Sequence, residues 1–273
     1  LRTALEQHHD KHEHESAAVA VHPVEPAAAN NGTTKNLTVF DRLDLSKTVS
    51  SSEYRKRRKK QQARLGELGR EAYRKGLSTV LVFEGPDAAG KGGAIRRTVH
   101  SLDARSYRVH QFAAPTDVER AHPYLWRFWS RLPRAGNVAV FDRSWSGRVL
   151  VERLEGLATE AEWRRAYNEI NDFESQIVGR GMLLLKFWLH ISKDEQLERF
   201  EARANSPYKA WKLTAEDWRN RELWDDYERA AHDMVQFTGT GDAPWVLVEG
   251  NDRQFARLKV LDTIIDGLEK QLD

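Results

Sequence analysis

The chain is predicted to fold as a three-layer α/β/α unit around a parallel sheet of five strands. Five short apolar runs alternate with helical periodicities from residue 79 onward, the rhythm of strand–helix–strand units. The first run, Thr79 to Phe83, is β-branched or apolar throughout, as a strand buried on both faces requires. It passes through a glycine-rich turn directly into a helix. That is the layout of a doubly wound sheet, whose ligands bind outside the C-terminal strand ends.

The turn is Gly85-Pro86-Asp87-Ala88-Ala89-Gly90-Lys91, which fits G-x-x-x-x-G-K, and Ile95, Val99 and Leu102 follow at helical spacing. Strand, loop and helix in this order are the context that makes the pattern a P-loop. Small residues at Gly85, Ala88, Ala89, Gly90, Gly92 and Gly93 let backbone N–H groups curl around phosphate oxygens. The helix N-terminus adds positive potential and Lys91 a full charge. The competing account is a tight strand-to-helix turn with a chance lysine. One departure is informative: Gly92 stands where Ser or Thr ordinarily helps to hold Mg²⁺, so another group must do so, and Asp87 within the loop is the nearest candidate.

Composition narrows the class. The 273 residues can bury one large α/β core or two small ones. Forty-three basic residues balance 41 acidic ones, so no global field toward nucleic acid or membrane is implied and any anion site must come from local clustering. No nucleic-acid recognition motif appears. The absence of cysteine excludes disulfides and thiolate metal sites. No apolar run approaches the roughly 18 residues of a spanning helix. Leu1 is not an initiator methionine and no signal-peptide pattern follows it, so a fragment or processed product, as a soluble cytoplasmic enzyme domain, is the expectation.

Residues 1–36 read as a tail or linker. LRTALEQ suits a last helical turn or two, and the polar, proline- and alanine-rich stretch after it cannot bury a core. His8, His9, His12 and His14 invite a metal reading, but no fixed geometry supports one. A domain over 37–273 follows. Ser50 to Ser52 offer N-caps for a long helix over Glu53 to Lys75. Its Arg55-Lys56-Arg57-Arg58-Lys59-Lys60 run is either a solvated face or a patch guiding a polyanion. Further strands are expected at Tyr107 to Ala113, Val138 to Phe141, Met182 to His190 and Trp245 to Val248. Helices are expected at Val118 to Arg131, Glu160 to Gly179, from a Ser192/Glu195 capping box, from Thr214 to about His232, and over Asp252 to Leu272.

Asp142 ends an apolar strand, the place of a Walker B carboxylate, or else of a strand-end cap. With Asp87 it forms a Mg²⁺ site of hard oxygen donors. Arg143 is assigned to phosphate, with Arg148 next, because guanidinium forks match phosphoryl oxygens, and Arg153 to a structural ion pair. Asp117 and Glu119 read equally as acceptor-side carboxylates or helix caps. Arg203, Lys209 and Lys212, with Arg219 and Arg221, make a basic segment over about 203–221. It reads as a lid closing on phosphate, anchored by Tyr208 and Trp211, or as a basic surface loop.

Four blocks, FEGPDAAGKGGAIRR, APTDVERAHPYLWRFWSRLP, FDRSWSGRVLVERLEG and WKLTAEDWRNRELW, together resemble the polyphosphate kinase 2 family, from about Leu37 to the end. The third and fourth, with PYLWRFW, are most similar to its class II members, polyphosphate:AMP phosphotransferases. The resemblance implies a P-loop kinase-like fold with a helical lid and Mg²⁺-dependent transfer (Mn²⁺ as the alternative ion) of a terminal phosphoryl group from inorganic polyphosphate to a nucleoside monophosphate. It implies that Asp87, Lys91, Asp142 and Arg143 match the catalytic and phosphate-binding positions, and that Asp117 matches the position separating monophosphate from diphosphate acceptors. A homo-oligomer, dimer or tetramer, is implied too, as is a fused first copy ending within residues 1–36. Pro86 and Ser146 stand where the family usually has Trp and Tyr, which puts rate and acceptor preference in question rather than reaction type. Three rivals are a polyphosphate:nucleoside-diphosphate kinase, an ATP-dependent nucleoside-monophosphate kinase, and a polyphosphate-binding module with a dead site.

Overall fold

Every residue of β1 (Thr79–Glu84) is buried, which is what its unbroken apolar composition demands of a central parallel strand. The computed structural model describes residues 37–208 and 210–273, apart from the Lys212 side chain. The tail expected over 1–36, with its histidines, and Lys209 lie outside the described residues. Leu37–Asp273 forms one compact unit.

A 25-residue helix, α1 (Ser51–Lys75), leads in. The Ser50 hydroxyl accepts from the Glu53 N–H at its start, and Gly76 at φ 75° ends it in the left-handed conformation that only glycine takes cheaply. After β1, α2 (Lys91–Val99) carries the chain to β2 (Tyr107–Gln111). Two single turns, α3 (Asp117–Arg120) and α4 (Trp126–Trp129), precede β3 (Val138–Asp142). The short α5 (Val151–Leu154) and the long α6 (Glu160–Gly179) lead to β4 (Leu183–His190). Then come α7 (Lys193–Ala204), α8 (Ala215–Glu222), α9 (Trp224–Thr238), β5 (Trp245–Glu249) and α10 (Arg253–Leu272).

All pairings in the sheet are parallel, in the order β2-β3-β1-β4-β5. The chain runs one way from β1 toward β2 and β3 and the other way toward β4 and β5. The loop after β1 therefore opens at the topological switch point, where a crevice forms. Register places Phe83 beside Asp142, so the β3 carboxylate stands next to the mouth of that loop. Side-chain alternation along β1 divides the core. Leu81 and Phe83 join α1, α2 and α10 on one face, while Val80 and Val82 join α6 and α9 on the other. The second face also holds a buried ion pair. Lys186 Nζ donates to Glu174 (2.5 Å) and to the Thr238 carbonyl (2.7 Å), and Trp145 donates to the other Glu174 oxygen. Removing one partner would strand the other charge in the core at a cost of about 3–5 kcal/mol.

The five expected strands and the helices over α1, α6 and α10 are present, with four local corrections. The helix expected over Val118 to Arg131 is two single turns, because Pro123 interrupts the backbone ladder between them. The helix expected from Thr214 to about His232 breaks at Leu223. This lets α9 bury Trp224, Ala230, Ala231 and Met234, while α8, with no buried residue, lies over the crevice. β2 stops at Gln111, as suits an edge strand that buries no residue. The Ser192/Glu195 box is only half made: Ser192 accepts from the Glu195 N–H, but its own N–H goes to Asn251 and the Glu195 carboxylate to Arg199.

Candidate active site

The loop after β1 is shaped by three residues with positive φ: Gly85 at 142°, Ala88 at 64° and Gly90 at 109°. Gly85 has no alternative. A Cβ there would lie 2.4 Å from the Leu189 carbonyl oxygen, because the loop crosses directly over the end of β4. Gly90 caps α2 without a side-chain hydrogen bond; the Gly93 N–H donates to the Gly90 carbonyl at 2.9 Å, leaving the Lys91 and Gly92 N–H groups for a ligand. Gly92 faces open space, and a Cβ on Gly93 would press to 3.2 Å from Arg257. Ala88 and Ala89 complete the cradle with buried methyl groups.

Lys91 folds back over this loop, donating to the Gly85 carbonyl at 2.6 Å and the Pro86 carbonyl at 3.2 Å. Burial pushes its ammonium below the usual lysine range, against the opposing pull of Asp87. The Asp87 carboxylate is gripped from both sides: Arg143 Nη2 lies 3.1 Å from Oδ1 and Asn220 Nδ2 3.0 Å from Oδ2. Burial alone would raise this acid, yet Lys91 and Arg143 hold it below its ordinary value, so it stays ionised. Arg143 follows Asp142 in the left-handed region at φ 66°, its N–H donating to the Phe83 carbonyl at 3.1 Å. A non-glycine residue in that conformation is uncommon and clusters at functional sites. The Asp142 carboxylate has no hydrogen-bond or ion-pair partner among the described residues.

Beneath them lies Glu84, 3% exposed, accepting from Ser144 Oγ at 2.8 Å; burial pushes its carboxyl up. A cleft opens from this floor. Glu84, Asp87 and Arg143 form its polar side, and Leu150, Leu154, Leu223 and Trp224 its apolar side. The Tyr227 phenol, pushed well up by burial, completes the lining. From α8, Asn220 reaches Asp87, Arg221 reaches the Lys193 carbonyl and Gln196, and Arg219 lies 3.5 Å from Glu155. Gln196 in turn donates to the Asp87 carbonyl at 3.0 Å.

The structure thus brings Gly85, Asp87, Ala88, Ala89, Gly90, Lys91, Asp142 and Arg143 together at one strand edge. It holds other candidates elsewhere. Arg148 is not in the cleft lining: it pairs with Glu152 at 2.8 Å and lies 4.4 Å from the Tyr124 ring centroid. Arg153 pairs with Asp233 at 2.8 Å. Asp117 opens α3, its side chain 93% exposed and paired with Arg120, while Glu119 completes the Thr116 capping box. Arg203 is half-buried in the last turn of α7. Tyr208 and Trp211 are exposed, at 86% and 75%, and the Trp211 indole donates to the Tyr208 carbonyl at 3.1 Å.

Asn220, Gln196, Arg199, Glu84 and Tyr227 escaped the sequence reading. Asn220 sits between Arg219 and Arg221, which were noticed for their charge, and nothing in a neutral amide signals a partner 133 residues away. No group of three or more His, Cys, Asp or Glu side chains converges for a metal among the described residues. Asp87 and Asp142 still suit Mg²⁺, which takes one or two carboxylates and completes its shell with waters and substrate phosphates.

Comparison with known proteins agrees with this geometry. The family model described as Polyphosphate kinase 2 (PPK2) matches residues 48–273. The chain is 51% identical over 261 residues to a polyphosphate:AMP phosphotransferase of Pseudomonas syringae pv. tomato, covering 96% of this chain and 51% of that protein. It is 53% identical over 234 residues to one from Pseudomonas aeruginosa, covering 86% and 47%. The chain thus spans about half the length of the curated relatives it matches. The crystal structure of polyphosphate kinase 2 from Arthrobacter aurescens TC1 superimposes with a TM-score of 0.82 at 35% identity, covering 87% of each chain. The family model over most of the chain, the identity to these relatives and the shared fold show that the chain belongs to the polyphosphate kinase 2 family.

Proposed function

We propose that this chain transfers the terminal phosphoryl group of inorganic polyphosphate to AMP, making ADP. The observation that carries the proposal is the convergence of Lys91, Asp87, Asp142 and Arg143 on a P-loop that lacks a hydroxyl after its lysine. The names of the relatives, polyphosphate:AMP phosphotransferases, support the same reading.

Loop N–H groups and Lys91 hold the donor end, and Arg143 spans equatorial oxygens of the group in flight. A phosphate oxygen of AMP is already anionic at neutral pH, so in-line attack needs no general base. The work left to the protein is positioning and neutralisation of charge. The apolar side of the cleft, Leu150, Leu154, Leu223 and Trp224, offers the acceptor's base a dry wall. Asp87 and Asp142 would hold Mg²⁺ (or Mn²⁺), which supplies Lewis-acid neutralisation of donor phosphate charge. Asp117 is assigned, on the same footing, to discrimination between mono- and diphosphate acceptors. Arg203, Lys209 and Lys212 are assigned to donor contacts in a lid over 203–221.

A shallow basic groove lies at the far end of α2, lined by Arg55, Arg58, Lys59, Gln62, His100 and Ser101. Arg58 Nε and Ser101 Oγ are buried there without hydrogen-bond partners. Burial would raise the nearby Tyr54 phenol, yet Arg58, Arg257 and Arg97 pull it down. Clustered cations with orphaned donors suit the trailing phosphates of a long donor. A cytoplasmic location and assembly into dimers or tetramers belong to the proposal, the latter measured by light scattering; no helix among the described residues is long and apolar enough to cross a membrane.

The test is an ATP-free assay with long-chain polyphosphate, Mg²⁺ and either AMP or ADP, the nucleotides separated by chromatography. ADP from AMP, with little ATP from ADP, is expected. ATP from ADP alone would make the chain a diphosphate kinase, and no product from either would favour ATP as donor or a dead site.

A further inference from the structure

Arg199, on α7, is 2% exposed, and all five of its N–H directions are used. Nη1 donates to the carbonyls of Ala88 (2.8 Å) and Ala89 (3.1 Å) in the P-loop. Nη2 donates to the carbonyls of Gly250 (2.6 Å) and Asn251 (2.9 Å), between β5 and α10. Nε is paired with Glu195 at 2.5 Å. One planar fork therefore ties the phosphate loop after β1 to the loop after β5, two strands away in the sheet.

The loop has a reason to need this. Ala88 holds φ 64°, a conformation that disfavours any residue with a Cβ; the Ala89 N–H closes the turn on the Pro86 carbonyl at 3.1 Å, and the outward carbonyls are left for Arg199 to hold. The Ala88 and Ala89 carbonyls turn toward the buried guanidinium. Because the peptide is planar, the Gly90 N–H, which has no partner among the described residues, is sent to the opposite side. Were the carbonyls to swing inward, the cradle would present oxygen to phosphate and repel it.

We propose that Arg199 is a positioning residue for the donor phosphates: it fixes the Ala88–Ala89 peptides in the orientation that makes the loop an anion site. It touches no substrate atom. Lysine cannot replace it, because an ammonium has three donors and no fork with which to bridge two loops. This rests on the P-loop binding phosphate as described above, though not on the identity of the acceptor.

The experiment is calorimetric titration of the full chain with tripolyphosphate, without nucleotide, for four proteins: unaltered, Arg199→Lys, Ala88→Gly, and the double variant. Losing the charged fork should weaken tripolyphosphate binding about tenfold in the Ala88 chain. Glycine adopts the left-handed conformation unaided, so in the Ala88→Gly background the same substitution should cost only about twofold. That rescue is what a merely structural arginine would not show. Equal losses in both backgrounds, or unchanged binding in Arg199→Lys, would overturn the proposal. If Arg199→Lys does not fold, Glu195→Gln loosens only the Nε end. It should weaken binding about threefold with Ala88 present and not in the Ala88→Gly background; equal effects would overturn it likewise. No binding by the unaltered chain overturns this proposal and the phosphate site together. Binding without ADP formation from AMP overturns only the assigned reaction.

Discussion

Arg143 and Ala88 are the two non-glycine residues with positive φ among the described residues, and both stand at the mouth of the same cleft. Such backbone costs of order 1–3 kcal/mol each and persists where surrounding contacts over-determine it. Here those contacts are named: the Phe83 carbonyl for Arg143 and the Arg199 fork for Ala88. Lys91 and Asp142 differ in kind, contributing charge rather than shape. Lys91→Ala and Asp142→Asn should each lower turnover by about a hundredfold or more, since Lys91 neutralises phosphate charge directly and Asp142 would hold the Mg²⁺ that does so. Melting temperature should stay within a few degrees. Near-normal turnover in either variant would remove it from the machinery. Gly85, Asp87, Lys91 and Asp142 were legible in the sequence because their chemistry is local: spacing, small residues and a strand end announce them. Arg199 and Asn220 were not, since their partners lie in loops far along the chain and only the fold brings them together. Arg148 misled because arginine spacing says nothing about which carboxylate is nearer, and Glu152, four residues on, takes it.

At the scale of elements, β4 ends in His190, which carries the clearest pH signature of the scaffold. Burial pulls its imidazole down to about 4 from an ordinary 6.5. It stacks on Phe40 at 4.5 Å, and the Trp188 indole donates toward its Nδ1 at 3.4 Å. A base with a depressed folded-state pKa binds fewer protons folded than unfolded. Stability is therefore whole above about pH 6.5 and lost progressively as pH falls toward 4. The difference amounts to about 3 kcal/mol. Urea titrations between pH 7 and 4 should show that loss, and His190→Asn, which keeps an acceptor for Trp188, should flatten it; an equally steep slope in the variant would assign the acid limb to other groups. Element boundaries are legible in places, as at α6, where the expected span Glu160–Gly179 is the observed one and Thr159 caps it. They fail at Pro123 and at Leu223. The first break is written in the sequence, as Pro123. The second is not, because α8 and α9 form a continuous helical pattern locally and part only because α9 alone has a core to cover.

For the whole molecule, the parallel order β2-β3-β1-β4-β5 places the P-loop at the switch point, with a mixed cleft on one side and the basic groove at the far end of α2. The 9-residue α2 is about 14 Å long, several phosphate units of an extended chain. Donor length should therefore matter. Arg58→Ala with Lys59→Ala should raise KM for long-chain polyphosphate about tenfold and leave KM for tripolyphosphate unchanged; an equal rise for both would deny the groove a role in holding the chain. The run Arg55 to Lys60 could be read from the sequence only as a solvated face or a polyanion patch, because α2 and its His100 and Ser101 must be in place before a groove exists.

The most direct measurement is to follow the phosphoryl group itself. Polyphosphate labelled with phosphorus-32 is mixed with AMP, Mg²⁺ and the full chain, with no ATP present, and the label is located after rapid quenching. Label in the β-phosphate of ADP, with none retained on acid-precipitated protein, is the predicted result. Label that reaches ADP only when ATP carries it, or that first accumulates on the protein, would contradict direct transfer from polyphosphate to AMP.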